Sequence, residues 1–285
     1  AGDPREGNAP PADRWFLIEH PGPWGRVALS QSGLGAAAVR SLSAWEATSG
    51  GRVLLVRRPG RGARTGPSRW FRVDSRPGHE SVRTGTFTAD SDLTAAVYAP
   101  GERWSGPLYV VCAHGRHDTC CAVRGRPLAA ALAEVEPDRV WEGSHIGGCR
   151  FAPALVLLPH GFALGGVPPH AAAEVAADYR AGRLDPQWVR GRSSQAPAAQ
   201  AAQHHARLAT GAVGVDALGV VEVSRLPSGD RWEVQLTAPG CTVLLHERRV
   251  VVDRPLTCAS SAPARMRVFD LVDLQLAAPL PASPA

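Results

Sequence analysis

Between positions 112 and 149 the chain reads CAHGRHDTCCAVRGRPLAAALAEVEPDRVWEGSHIGGC and gathers four of the six cysteines and three of the ten histidines. Two pairs of soft donors stand out: Cys112 and Cys121, with eight residues between them, and His145 and Cys149, with three. Thiolate and imidazole suit iron–sulfur and zinc centres and disfavour metals that prefer oxygen. Gly147 and Gly148 lie within the second pair, and the missing Cβ lets backbone N–H groups come close to a cluster. Three plainer readings compete. Cys112 closes an apolar run and reads equally as a buried structural thiol. A structural zinc would take the same four side chains, although zinc sites usually space their cysteines by two to four residues. A dithiol of the thioredoxin type needs two intervening residues, and Cys120 and Cys121 have none. Spacing favours iron–sulfur over zinc and leaves zinc open.

These donors must be positioned by the elements around them. LYVVC at 108–112 reads as a buried strand that delivers Cys112, and an Ala/Leu-rich helix is expected over 126–134, with Pro127 in its first turn. A short strand at 140–142 then leads into the second ligand loop. Strands at 154–158 and 162–164 and a helix over 169–180 complete the set. Upstream, the order is the same: a strand at 14–20, a helix over 36–45 ended by Gly50-Gly51, and strands at 52–57, 69–74 and 81–87, with a Gly/Arg loop at 60–68. Strand, helix, strand, hairpin and closing helix is the thioredoxin-like plan. The first stretch therefore reads as a degenerate copy with EHPGPWG where the second has CAHGRHDTCC. After a Ser/Gln/Pro linker at 191–197, a helix at 198–209 and strands at 217–224, 231–237, 241–247 and 265–274 read as a small accessory α+β unit. The expected domains are 1–104 (a thioredoxin-like half without ligands), 105–190 (the ligand-bearing domain) and 198–278.

Composition excludes several classes. At 285 residues the chain is long enough for more than one core. No apolar run approaches the ~20 residues of a membrane span. The first residues lack the basic start and apolar stretch of a signal peptide, and without an initiator Met the chain reads as trimmed or processed. A soluble, cytoplasmic protein is expected. A net charge of +5 invites a nucleic-acid reading, but every basic residue is Arg and there is no Lys, the signature of a GC-rich genome rather than of a mixed basic stripe. Nucleic acid is not an expected partner. No P-loop, dinucleotide Gly pattern or hydrolase nucleophile elbow occurs.

CAHGRHDTCCAVRGRPLA, SHIGGCRFAPALVLLPHG and EHPGPWG together resemble the sucrase/ferredoxin-like family, over roughly residues 11–182. The resemblance implies an α/β, thioredoxin-like ferredoxin that binds a 2Fe-2S cluster and transfers electrons to or from a redox partner protein. It implies a carrier more than a catalyst, with an oxidoreductase component or a structural zinc module as alternatives. It also sets the register: the second cysteine follows an Arg/Asp-containing loop, which selects Cys121 over Cys120 and makes Cys112, Cys121, His145 and Cys149 the cluster ligands. Family members with two histidines carry His where this chain has Cys149, so a three-Cys, one-His centre is implied. His114 and His117 are read as neighbours of the ligands, His160 as a turn support, and His204-His205 as lacking a partner at metal spacing. Cys241 and Cys258 are read as buried thiols. Arg116, Arg124, Arg126 and Arg150 form either a solvated face or a docking patch for an acidic partner.

Overall fold

RWFLIE, LYVVC and ALVLL are continuous apolar runs, and such runs form strands covered on both faces. In the computed structural model, which describes residues 2–60, 66–258 and 260–277, they are central strands. Positions 61–65 of the expected Gly/Arg loop lie outside the described residues. The elements are β1 (Arg14–Glu19), α1 (Ala36–Ser49), β2 (Gly51–Arg57), β3 (Ser68–Asp74), β4 (Ser81–Phe87), α2 (Leu93–Ala96), β5 (Glu102–Arg103), β6 (Leu108–Cys112), α3 (Thr119–Val135), β7 (Val140–Gly143), β8 (Ala154–Leu158), β9 (Phe162–Gly165), α4 (Ala172–Arg180), β10 (Val189–Arg192), α5 (Pro197–Thr210), β11 (Gly219–Arg225), β12 (Arg231–Thr237), β13 (Cys241–Val252) and β14 (Ala264–Leu276).

Ten strands share one mixed sheet in the order β10-β9-β8-β6-β7-β2-β1-β3-β4-β5. It contains the same arrangement twice. β1 lies parallel to β2 and antiparallel to β3, which pairs with β4. Likewise β6 lies parallel to β7 and antiparallel to β8, which pairs with β9. The two halves join where β2 meets β7 through Val56–Gly143 and Arg57–Glu142. Side chains reinforce this short seam: Arg57 pairs with Glu142 at 2.9 Å, and the Ser144 hydroxyl accepts from the Leu55 N–H at 3.1 Å.

The sheet bends at that seam. Phe71 on β3 and Trp141 on β7 are three strands apart, roughly 14 Å across a flat sheet, yet their ring centroids are 5.4 Å apart. Trp15, Leu17, Leu54 and Val73 from one half and Val110, Trp141 and Val156 from the other thus share one core. The opposite face of the first half packs on α1 and α2 through Phe16, Leu42 and Trp45, and that of the second on α3 and α4 through Tyr109, Leu128 and Val175.

Some expectations need correction. The helix expected at 126–134 begins at Thr119, so Cys120 and Cys121 belong to its first turn and Pro127 lies in its interior. Gly191 and Arg192 belong to β10 rather than to a linker. Residues before β1 are no free lead-in: Asn8 and Ala12 donate backbone hydrogen bonds to Arg190 and Ser193, and the Ala9 N–H donates to the Gln200 side chain. Beyond β10, α5 packs on the antiparallel sheet β11-β12-β13-β14.

An ion pair between the half-buried Glu80 and the buried Arg192 ties the start of β4 to β10. Burial pushes the Glu80 carboxyl up, but hydrogen bonds from its own backbone and from Arg192 more than reverse this and hold it below its ordinary value. With a depressed folded-state pKa, the pair's contribution is complete above the unfolded carboxyl value of ~4.3. It is lost as pH falls through the folded-state value. Glu80→Gln is expected to destabilise by about 1–2 kcal/mol near neutrality. The penalty should shrink towards acid, as scanning calorimetry at several pH values will show.

Candidate metal centre

Cys112 ends β6, paired with Gly143 at the end of the parallel strand β7. Ligand sites in open α/β sheets form outside the carboxyl ends of such strands. Cys121 lies in the first turn of α3, His145 two residues beyond β7, and Cys149 at the start of a 3-10 turn, Cys149–Phe151. All three cysteines are buried and His145 is half-buried.

The four side chains converge. Donor atoms of Cys112, Cys121 and His145 lie within 4.8 Å of one another, and the Cys149 Sγ is 3.4 Å from His145 Nδ1. Cys112 is held well below the ordinary thiol range by a hydrogen bond from Cys121, against burial and with help from His145 and the Ile146 and His114 N–H groups. Cys149 is lowered to about 7, again chiefly by Cys121. Cys121, which supplies both thiol contacts, is pushed up. Burial works against the His145 imidazolium, yet its contacts with Cys112 and Cys149 raise it to about 9. Negative charge thus gathers on Cys112 and Cys149, and protons on Cys121 and His145. The first turn of α3 adds its positive dipole end beside the thiols.

His114 is no ligand in this arrangement. Its Nε2 donates to the Gly25 carbonyl at 2.7 Å while its Nδ1 accepts from the His145 N–H at 3.2 Å, a neutral tautomer fixed by backbone at both ends. Gly25 belongs to EHPGPWG, so the loop of the first half walls the first ligand loop of the second, with Trp24 edge-on to His114. His117 differs: it stacks on His145 with centroids 3.6 Å apart and brings a donor within 4.8 Å of His145 and Cys149. Cys120 donates to Asp118 Oδ1 at 3.2 Å and is not grouped with the four. His160 supports its turn through Tyr179, 2.8 Å away. Cys241 is buried, as expected, but Cys258 is exposed.

Two arginines that sequence reasoning passed over hold the second ligand loop. Arg52 of β2 donates to the carbonyls of Ile146 and His145, and Arg190 of β10 to those of Gly147 and Asn8. For Arg52 the available signal was an Arg opening the apolar strand RVLLVR; the polar stretch VRGR gave none for Arg190. Arg190 is 2% exposed, and burial lowers its guanidinium to about 9. Gly148 adopts φ 77, and a Cβ there would stand 2.2 Å from Arg190 Nη2. The glycines are therefore needed for the left-handed turn and the arginine packing.

Gly125 permits another close approach. A Cβ on this residue of α3 would fall 2.0 Å from the Cys112 carbonyl oxygen. In an unencumbered helix Gly→Ala stabilises by about 1 kcal/mol, but overlap with backbone reverses the sign. Gly125→Ala is expected to destabilise by about 1–3 kcal/mol and to shift Cys112, read by thermal unfolding and metal content together.

The fold and this site define a mixed α/β protein with a buried Cys/His group able to hold metal. The chain matches the sucrase/ferredoxin-like family over residues 6–191 and belongs to it. No curated protein and no solved structure matches the chain. Among the described residues no helix is long and apolar enough to cross a membrane.

Proposed function

We propose that Cys112, Cys121, His145 and Cys149 hold a 2Fe-2S cluster and that the protein carries single electrons to or from a redox partner. The observation that carries this reading is the convergence of three sulfurs and one imidazole at the ends of β6 and β7. The donor set fits the group: soft ligands, backbone N–H groups directed at Cys112, and the guanidinium charges of Arg52 and Arg190 nearby. When bound, a cluster supplies one-electron exchange. The chain's residues seat it, shield its thiolate side from water and leave the half-buried His145 and His117 towards solvent, where a partner can approach. Exposed Arg116, Arg124 and Arg126 give that region positive charge for an acidic partner. The strand orders β2-β1-β3-β4 and β7-β6-β8-β9 support two thioredoxin-like halves, 1–104 and 105–190, followed by an accessory unit at 198–278. Six free cysteines suit a reducing compartment such as the cytoplasm.

Zinc is the second reading, favoured by the compactness of the donors. Ligands of one tetrahedral zinc stand about 3.8 Å apart, close to the observed grouping, whereas a two-iron cluster divides four donors into two pairs. Anaerobic purification with iron and sulfide analysis and electron paramagnetic resonance of the reduced protein separates them. Equimolar iron and sulfide with red-brown colour supports the cluster; a colourless zinc protein overturns it. A one-histidine cluster should have a potential between roughly −400 mV for all-Cys plant-type ferredoxins and the roughly −150 to +300 mV of two-histidine centres. That potential is expected to fall with rising pH as a proton leaves the outer nitrogen of His145. A titration flat from about pH 6 to 9 would count against histidine ligation.

A further inference from the structure

Outside the four-donor group, a second cluster joins parts of the chain far apart in sequence. The connection from β13 to β14 carries the exposed Cys258. Donor atoms of Cys258, Cys120 and Asp118 lie within 4.8 Å of one another. Cys120 sits half-buried in the first turn of α3, where its thiol is oriented by Asp118 Oδ1 at 3.2 Å and the Cys149 carbonyl at 3.5 Å. The loop is anchored on its near side by the pair between Arg254 and Asp3, and Thr257, next to Cys258, exchanges hydrogen bonds with Ser260. The residues matched to the family end at 191, so Cys258 is contributed by the C-terminal unit.

We propose that Cys120 and Cys258 are a peroxide-sensitive pair whose disulfide pins the β13–β14 loop to the helix that carries Cys121. The chemistry needs only a hydroperoxide. The accessible Cys258 sulfur attacks one peroxide oxygen, the O–O bond breaks, and Cys258 becomes a sulfenic acid as one water, or one alcohol, leaves. The Cys120 sulfur then attacks the Cys258 sulfur, the S–O bond breaks, and a water leaves with the thiol proton. Two thiols are oxidised to one disulfide and one hydroperoxide is reduced by two electrons. The sulfurs need only close from their present spacing to the ~2.05 Å of a disulfide. An exposed loop on one side supplies that movement. This inference does not depend on which ion fills the neighbouring centre.

The test uses the full chain as purified, with its metal in place, treated with one equivalent of hydrogen peroxide and analysed by mass spectrometry. The expected result is an intact mass lower by about 2 Da, with the tryptic peptide 117–124 linked to the peptide containing Cys258, reversed by dithiothreitol. Cys120→Ser and Cys258→Ser should each abolish the link and leave metal content unchanged. No link in the parent protein overturns the proposal. So does a link that persists in Cys120→Ser, since the partner would then be Cys121. Loss of metal in Cys258→Ser, or thiol protection released by a chelator instead of by dithiothreitol, also overturns it, because Cys258 would then be a metal ligand.

Discussion

For the proposed centre, Cys112→Ser is expected to abolish metal binding: metal content after gel filtration should fall to background, an affinity loss beyond the 10- to 100-fold typical of outer contacts. The hydroxyl of Ser matches the thiol in shape but is a poor ligand for a soft metal. Cys112 is also 1% exposed and hydrogen-bonded by two side chains and two backbone N–H groups. Cys121→Ser should behave in the same way, whereas Cys120→Ser should retain metal, because the Cys120 thiol is turned towards Asp118. Retention in Cys121→Ser with loss in Cys120→Ser would reverse the register. Circular dichroism distinguishes an empty fold from an unfolded one.

Arg190→Met is expected to lower metal affinity about 10- to 100-fold while leaving global stability within about 2 kcal/mol of the parent. The two readouts part for a physical reason. Removing a buried cation with no carboxylate partner among the described residues relieves its desolvation cost, and Met fills similar space. That gain offsets the loss of charged hydrogen bonds, worth about 1.5–3 kcal/mol each. The local cost is not offset: the carbonyls of Gly147 and Asn8 lose their donor, and the turn bearing Cys149 is no longer held against β10. Arg190→Lys should rescue little, since an ammonium lacks the planar fork that reaches two carbonyls at once. Equal losses in melting temperature and metal affinity would show that Arg190 acts only in packing.

What could be read from the sequence follows from the range of the forces involved. The strands 81–87, 108–112, 154–158 and 231–237 fall where alternation or continuous apolar runs put them, because the pattern of a strand is local. The two donor pairs stand out because each is short-range, while the choice of Cys121 over Cys120 rests on the family resemblance; the fold brings Cys112, Cys121 and His145 together, with Cys149 beside His145. The start of α3 was not legible, since Asp118 and Thr119 look like loop and Pro127 looks like a helix opening. Arg52, Arg190 and Cys258 were illegible as parts of this region because each arrives from a distant element. Only the fold of the sheet, the lacing of residues 8–12 across β10, and the reach of the β13–β14 loop bring them there.

The seam between β2 and β7 gives the molecule a mechanical character. Two paired positions make a spine, and the halves are its leaves, pressed together by the core around Phe71 and Trp141. The ligand turn lies along that spine, gripped by Arg52 from one leaf and Arg190 from the other. The turn that carries Cys149 is therefore clamped from both leaves, and the pair between Glu80 and Arg192 latches β10 to the start of β4.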